Sequence, residues 1–569
     1  MTLKAALRVS AAMFALLCAT APPAQAAAQA PGPDVLRLPF PQYDGGLTPY
    51  TFELGHPLLM LVYDSLMWRD AEGVAQPWLA RSVQRSRGGR RLTVRLRSDA
   101  RWHDGRRVTA ADVAFTFNLL RRRSQPRFTP QLVDVERVTA TGPLTATFDL
   151  LRPAAGFEDQ PLADVPIMPS HLWRDLPAGR RAPAGLAVGS GPYRLASARR
   201  AGGYVLRANT AYFRGSPQVR ELRVPIIDDA EETFEALRER RVDMVPLSLP
   251  RGVAGGLGGS LGIAVARGPA YAGTALVLNT RRAPFADAAA RRAVAASLDL
   301  RRITRNVAPA VPALGGFVHP ASRWAAGAPV HRVDVPAARA AVADLGLAPL
   351  RVLAPDSDPV RAEAGRQVVL ALQRAGASAT LVEVSPRALS RALGETGGRP
   401  DFDAAITSIP PLVSHDPDYL RNMFGSDPRT APLNVSGYRS AEFDAVARRV
   451  ATATDREVRA RAILAEARLL ARAAPSIPLF FSNGAFAYRS QIYNGWTYIK
   501  GTGIFDKRSF LPGETPARGA SRGGADPPPV AEDGDSGLAL DIVSIISLLA
   551  LGGVAVLAVL ALRQRRRPR

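Results

Sequence analysis

RWHDGRRVTAADVAFTF, Arg101 to Phe117, sets a histidine beside an aspartate in a glycine turn and then runs straight into a helix signal. Before it, LTVRLR (Leu92 to Arg97) alternates apolar and polar positions as a half-buried strand does, after the turn-forming RGGR. Within it, Thr109 and Asp112 form a Thr-x-x-Asp capping signal ahead of the apolar VAFTFNLL, which predicts a helix starting near Thr109. His-Asp-Gly therefore occupies a strand-to-helix corner. Asp104 is expected to order the turn through its own backbone, as Asp-Gly pairs do. His103 has no second histidine or carboxylate at metal spacing on the same element. The stretch reads as a structural corner in a mixed α and β chain, not as a chemical site.

The same alternation of strand and helix signals extends outward. GSGPYRLASARRAGGYVLRAN, Gly189 to Asn209, predicts a hairpin with Gly202-Gly203 at its turn, and Thr454 with Glu457 predicts a capping box for a helix that stops before Pro475. At 569 residues the chain exceeds one ordinary domain, so two or three lobes are expected. Hydrophobic content of 47% and charged content of 22% are those of a folded protein. The net charge of +23 is spread thinly and is almost all arginine, lysine appearing only at Lys4, Lys500 and Lys507. No aromatic-interleaved basic stripe accompanies it, which argues against nucleic acid as a partner. GGSLG, Gly258 to Gly262, fits Gly-x-Ser-x-Gly but follows RGVAGGL instead of an apolar strand, so no catalytic serine is expected. The six histidines (56, 103, 171, 319, 331 and 415) include no His-Glu-x-x-His, and no metal site or cofactor is expected. Asn434 in NVS reads as ordinary sequence.

The two ends carry targeting signals. Lys4 and Arg8 precede VSAAMFALLCATA, and AQA at Ala24 to Ala26 supplies the small residues of a cleavage site, so residues 1–26 read as a signal peptide. The single cysteine, Cys18, lies inside it after Leu17, a poor context for lipid attachment, and the mature chain carries no disulfide. Residues 542–562 run 21 positions without a charge, long enough for a transmembrane helix across a hydrocarbon core of ~30 Å. RQRRRPR follows as a basic tail, residues 563–569, and favours a cytoplasmic C-terminus. Residues 511–537, rich in Pro, Gly and charge, read as a flexible linker.

Taken in order, these segments resemble family 5 of the bacterial extracytoplasmic solute-binding proteins, the peptide, dipeptide and nickel-binding group that serves ABC importers. LVYDSLMWRDAEGVAQPWLARSVQRSRGGRRLTVRLRSDARWHDGRRVTAADVAFTF (Leu61 to Phe117) follows the opening signature. GSGPYRL, the stretch Leu206 to Val245, and Leu276 to Ile303 with Asn279, Pro284, Phe285, Arg291 and Asp299 follow the next three blocks. DPDYLRNMF, SGYRSAEFDAVARR and APSIPLFF close the pattern, which covers about residues 35–505.

The resemblance implies an α/β, two-lobed periplasmic-binding-protein-like fold of type II. Lobe I would take residues 33–275 and 484–510, with an extra subdomain at about 65–187, and lobe II residues 276–483. Crossing strands are expected near Ala272 to Leu278 and Pro478 to Ala487, and hinge closure on the ligand. By family position the pocket would draw on Tyr50, Glu53, Tyr271 and the loop Ser408 to Tyr419, with Pro411, Val413, Ser414, His415 and Asp416. In peptide-binding members an aspartate three residues before the acidic-Pro pair of this loop holds the peptide's α-amino group. Here that position is Val413, which implies ligands lacking a simple free N-terminus, with His415 or Asp416 as substitutes if the loop shifts. The expected protein is a monomeric, non-enzymatic binding protein, exported and anchored in the cytoplasmic membrane of the cell envelope, that delivers a peptide or small solute to an ABC permease and ATPase. A membrane-anchored ligand sensor or scaffold on the same fold stays open as an alternative.

Overall fold

Two long antiparallel strands, Ile263–Leu278 and Ser476–Arg489, run side by side and feed different hydrophobic clusters at their two ends. Their ladder runs from Ile263 opposite Arg489 to Pro269 opposite Asn483, breaks, and resumes at Gly273 opposite Phe481. Pro269 has no N–H to give the ladder, which suits it to the margin of such a break. Gly273 lets the strands close up again, since a Cβ there would lie 2.8 Å from the Phe481 ring. The near halves pack Val265, Ala485 and Ala487 against Ile227, Phe234 and Leu237. The far halves bury Leu276, Leu278, Ile477 and Phe480 in a different core. The first strand ends at Leu278 as expected but begins at Ile263, well before Ala272, and the second extends two residues beyond Pro478 and Ala487 at either end.

The computed structural model describes residues 32–514, apart from 53–55, 176–186, 246–261, 308, 326 and 347–348. The expected signal peptide, Glu53, most of GGSLG, the bulk of the linker, the 542–562 segment and the basic tail lie outside the described residues. Among the described residues no helix is long and apolar enough to cross a membrane.

The residues expected in lobe I hold a four-stranded sheet in the order Val35–Arg37, Glu221–Val224, Gly203–Ala208, Tyr193–Arg199, its first pair parallel and the rest antiparallel. The hairpin turn expected at Gly202-Gly203 is present. Gly203 has φ +66°, and a Cβ there would sit 1.9 Å from the Val224 carbonyl oxygen, so only glycine fits. A second, antiparallel sheet joins Ala80–Ser86, Arg91–Leu96, Thr145–Leu150 and Val135–Gly142. Helix Ala110–Arg122 lies on it and starts at Thr109 with the capping box in place. This second sheet has no core of its own: Leu92, Phe117 and Phe148 belong to the same apolar cluster as Leu36, Tyr193 and Leu206. Burial of each such side chain contributes about 1.5–3 kcal/mol.

The opening corner is structural. His103 is buried, its Nε2 3.0 Å from the Gly191 carbonyl oxygen and its Nδ1 accepting the Gly189 N–H at 3.2 Å, so it ties the corner to GSGPYRL. Asp104 accepts the Arg106 N–H, as an Asp-Gly turn should, and reaches His171 at 2.7 Å.

The residues expected in lobe II share a six-stranded mixed sheet with the two crossing strands, in the order Ala310–Pro312, Ser476–Arg489, Ile263–Leu278, Ala404–Ile409, Leu350–Pro355, Ala379–Val384. Helices Ala288–Ser297, Val335–Leu345 and Pro359–Arg374 supply its core. The helix expected from Thr454 runs Arg456–Ala473 and is capped instead by Asp455, whose carboxylate accepts the Val458 N–H at 2.8 Å. The carboxylate wins because it suits the positive helix end better than a hydroxyl.

Candidate functional site

Loops between the residues expected in the two lobes bring polar groups together in two clusters. The first surrounds Tyr271, which sits in the break of the crossing strands. Its backbone N–H donates to the Gly501 carbonyl instead of a strand partner, and Gly501 must be glycine because a Cβ would come 2.4 Å from the tyrosine ring. The Tyr271 ring lies 5.2 Å from that of His319 and 5.0 Å from that of His415. Ser414 joins them, its hydroxyl accepting the His319 N–H and its carbonyl accepting from Ser322 Oγ at 2.6 Å. Lobe I answers with the turn Asp70–Gly73: Ala71 accepts the Lys500 N–H, Lys500 Nζ reaches Glu72 at 3.6 Å, and Gly73 faces the His415 ring.

Both rings are held neutral at ordinary pH. Burial, helped by Lys500, pulls His319 down to about 4, and burial, helped by Arg69, pulls His415 well below its usual value. His319 Nδ1 accepts the Ala321 N–H at 2.9 Å, which leaves the ring proton on Nε2, a buried donor without a partner. His415 Nδ1 is likewise buried and unpartnered. Such groups suit a hydrogen-bonding solute better than a dry interface.

The second cluster is ionic and crosses the lobes. Arg421 of lobe II donates to Asp418 at 2.8 Å and to Asp134 of lobe I at 3.0 Å, where Arg152 also pairs at 2.6 Å. Arg323 of lobe II pairs with Asp159 of lobe I, whose backbone carbonyl accepts from Arg69 at 2.9 Å. Burial pushes the Asp159 carboxyl up to about 6, against the pull of Arg323. Asp416 is buried in a pair with Arg459, which lies 4.6 Å over the Trp324 ring. Glu466 is wholly buried with neither oxygen partnered; burial, with Asp418 adding to it, pushes its carboxyl well above the usual range.

The residues expected at the site are thus partly assembled. Tyr271, Ser414, His415 and Asp416 come together at the junction, with Pro411 heading the short helix Leu412–His415. Val413 is fully buried in an apolar cluster with Ile409, Leu412 and Phe443. Tyr50 packs on Trp173 and donates to the Arg123 carbonyl within lobe I. Sequence reading passed over His319, Arg69, Arg323, Arg421, Arg459 and Glu466. Among the described residues no group of three or more His, Cys, Asp or Glu is placed to hold a metal ion.

Comparison with known proteins places this architecture. The profile described as bacterial extracellular solute-binding proteins, family 5 Middle, matches residues 74–431. The chain is 24% identical over 434 residues to the probable D,D-dipeptide-binding periplasmic protein DdpA of Escherichia coli, covering 74% of this chain and 81% of that one. It is 28% identical over 297 residues to the peptidoglycan-binding protein YepA of Agrobacterium fabrum, a match spanning under half, 46%, of either chain. Among solved structures, the substrate-binding protein CtaP of Listeria monocytogenes superposes with a TM-score of 0.73 at 21% identity, covering 84% of this chain and 99% of that one. The oligopeptide-binding protein AppA of Bacillus subtilis, solved with a nonapeptide, gives 0.73 at 20% identity over 85% and 99%.

Proposed function

We propose, from the premise that the chain belongs to family 5 of the bacterial extracellular solute-binding proteins, that it captures a peptide or other small organic solute between its lobes and hands it to an ABC permease. Proteins of this family bind solutes and are not enzymes. The observation that carries the reading is the junction itself: two lobes joined by paired strands, with unpartnered buried imidazole nitrogens gathered where the strands break. Such a hinge couples solute contact to lobe closure. The 542–562 segment would hold the protein on the outer face of the cytoplasmic membrane, with lobes 33–275/484–510 and 276–483 outside, as a monomer.

The solute is expected to lack a simple free N-terminus. Val413 offers an ammonium nothing, and Asp416 is already bound to Arg459 and to the Asp418 N–H. An ammonium buried there would forgo a charge-assisted bond of about 1.5–3 kcal/mol. The test is mass spectrometry of solute released from the purified full chain, followed by calorimetry with N-acetylated and unblocked peptides. Micromolar binding of unblocked peptides, lost in Asp416→Asn, would refute the preference. Absence of any retained or titratable solute would refute the binding reading.

A further inference from the structure

A groove of about 710 Å³ opens among the residues expected in lobe II, away from the strand break. Leu278 pairs with Ala404 five residues along from Gly273, so roughly 16 Å of strand lies between the Tyr271 cluster and the end from which Arg281 emerges. The Arg281 guanidinium is fixed there by two carbonyls, donating to Val435 at 2.7 Å and to Asn434 at 3.2 Å. It lies against Gly437, where φ is +73° and a Cβ would come 2.5 Å from Cζ and displace it. The loop beneath is pinned in turn. The Asn434 carboxamide donates to the Gly425 and Tyr438 carbonyls and accepts from Ser436 Oγ and the Gly437 N–H.

Carbonyls orient a guanidinium but do not neutralise it. Arg439 lines the same groove, and its charge, after burial, holds Arg281 below its usual value. Among the described residues neither of the two forms an ion pair, whereas the adjacent Arg282 pairs with Asp401 and Asp403. The one carboxylate in the described lining, Glu395, accepts from Ser390 Oγ at 2.6 Å. Leu393, Pro400, Pro428, Pro432 and Val435 supply apolar walls. Two like charges held in one groove without a carboxylate between them favour an anion that bridges both, and the planar guanidinium matches an oxyanion with parallel N–H bonds.

We propose that this groove is a second binding site, separate from the lobe junction, for a small solute that carries a carboxylate or phosphate on an apolar body. The oxyanion bridges Arg281 and Arg439, and the body lies on the proline walls. Glu395 acts against the anion. The site stands whatever the junction binds.

The experiment is calorimetry of the full-length chain in detergent with inorganic phosphate, phenyl phosphate, benzoate and neutral benzyl alcohol. Phenyl phosphate and benzoate together tell a phosphate site from a carboxylate site. The better of the two should bind at least about threefold more tightly than inorganic phosphate, because its ring is buried, and benzyl alcohol should not bind. Arg439→Gln, an exposed residue with no ion pair to lose, should weaken that ligand about fivefold or more. Glu395→Gln should tighten it, since an opposing charge is removed. Binding that Arg439→Gln leaves unchanged, or that Glu395→Gln weakens, would put the anion elsewhere and overturn the site. A wild type that binds neither aromatic anion at millimolar concentration would overturn it as well, and inorganic phosphate bound as tightly as the aromatic anions would overturn the apolar body.

Discussion

Lys507 donates to Asp64 at 2.6 Å across 443 residues of sequence, with neither side chain exposed. Asp64 is the hub of that corner of lobe I, accepting also from Trp78 Nε1 at 2.8 Å, Tyr212 at 3.0 Å and Ser190 at 3.1 Å. The ammonium lies 4.3 Å over the Trp68 ring. Breaking a buried pair from one side strands a charge, whereas removing both ends does not. Lys507→Met alone should therefore lose about 3–5 kcal/mol in denaturant unfolding, and the double change Asp64→Asn with Lys507→Met should recover most of it. A double variant as unstable as the single one would show that the pair is not what holds the segment.

Glu466 sits on the inner face of helix Arg456–Ala473 with both oxygens unpartnered. Its carboxyl is pushed well above the ordinary value of 4.5, so the folded state gives up stability as pH rises past that value. Glu466→Gln should be more stable than the wild type by on the order of 1 kcal/mol, with a margin that widens from pH 5 to pH 8 in thermal melts. A margin that shrinks over that range contradicts the assignment.

His319 titrates in the opposite sense. Held down to about 4, it stays neutral when folded and takes a proton when unfolded between roughly pH 6.5 and 4, so its contribution is full at pH 7 and is lost as pH falls through that window. The loss is on the order of 2–3 kcal/mol. His319→Gln should flatten the acid limb of the stability profile by about that much. An unchanged acid limb would mean that the ring is solvated.

Asp159, raised to about 6, should release part of the interlobe contact near that pH, because a neutral carboxyl no longer holds Arg323 as an ion pair. Arg69, Arg459 and Asp416 face the same carboxyl, so the transition belongs to this cluster and not to a lone acid. Solution scattering of the full chain should show expansion between pH 7 and pH 5, and Asp159→Asn should be expanded at both. Identical wild-type profiles across that range would discount the link.

How far the sequence could be read depends on which residue types were asked. The His-Asp-Gly corner, the Thr109 cap and the Gly203 hairpin are local chemistry, and each stands where the pattern put it. The ionic cluster was missed because the arginines looked like compositional bias. Yet two of its members were visible: Arg459, Ala462, Ile463, Glu466, Leu469 and Leu470 recur at helical spacing, which puts two charged residues on an apolar stripe. Asp418 and Arg421, three apart, were a second signal. His319 had no such marker, since its meaning comes from Tyr271 and His415, which only the folded chain brings within about 5 Å.

The described chain ends at Glu514, just after Lys507, and Arg508 reaches Glu514 at 2.6 Å. Fraying from that side would meet the buried Lys507 and Asp64 pair within a few residues, so this pair sets where unravelling of the described chain stops. A strand-poor segment is thereby kept in register by one ion pair placed early in its path instead of by a ladder of backbone bonds.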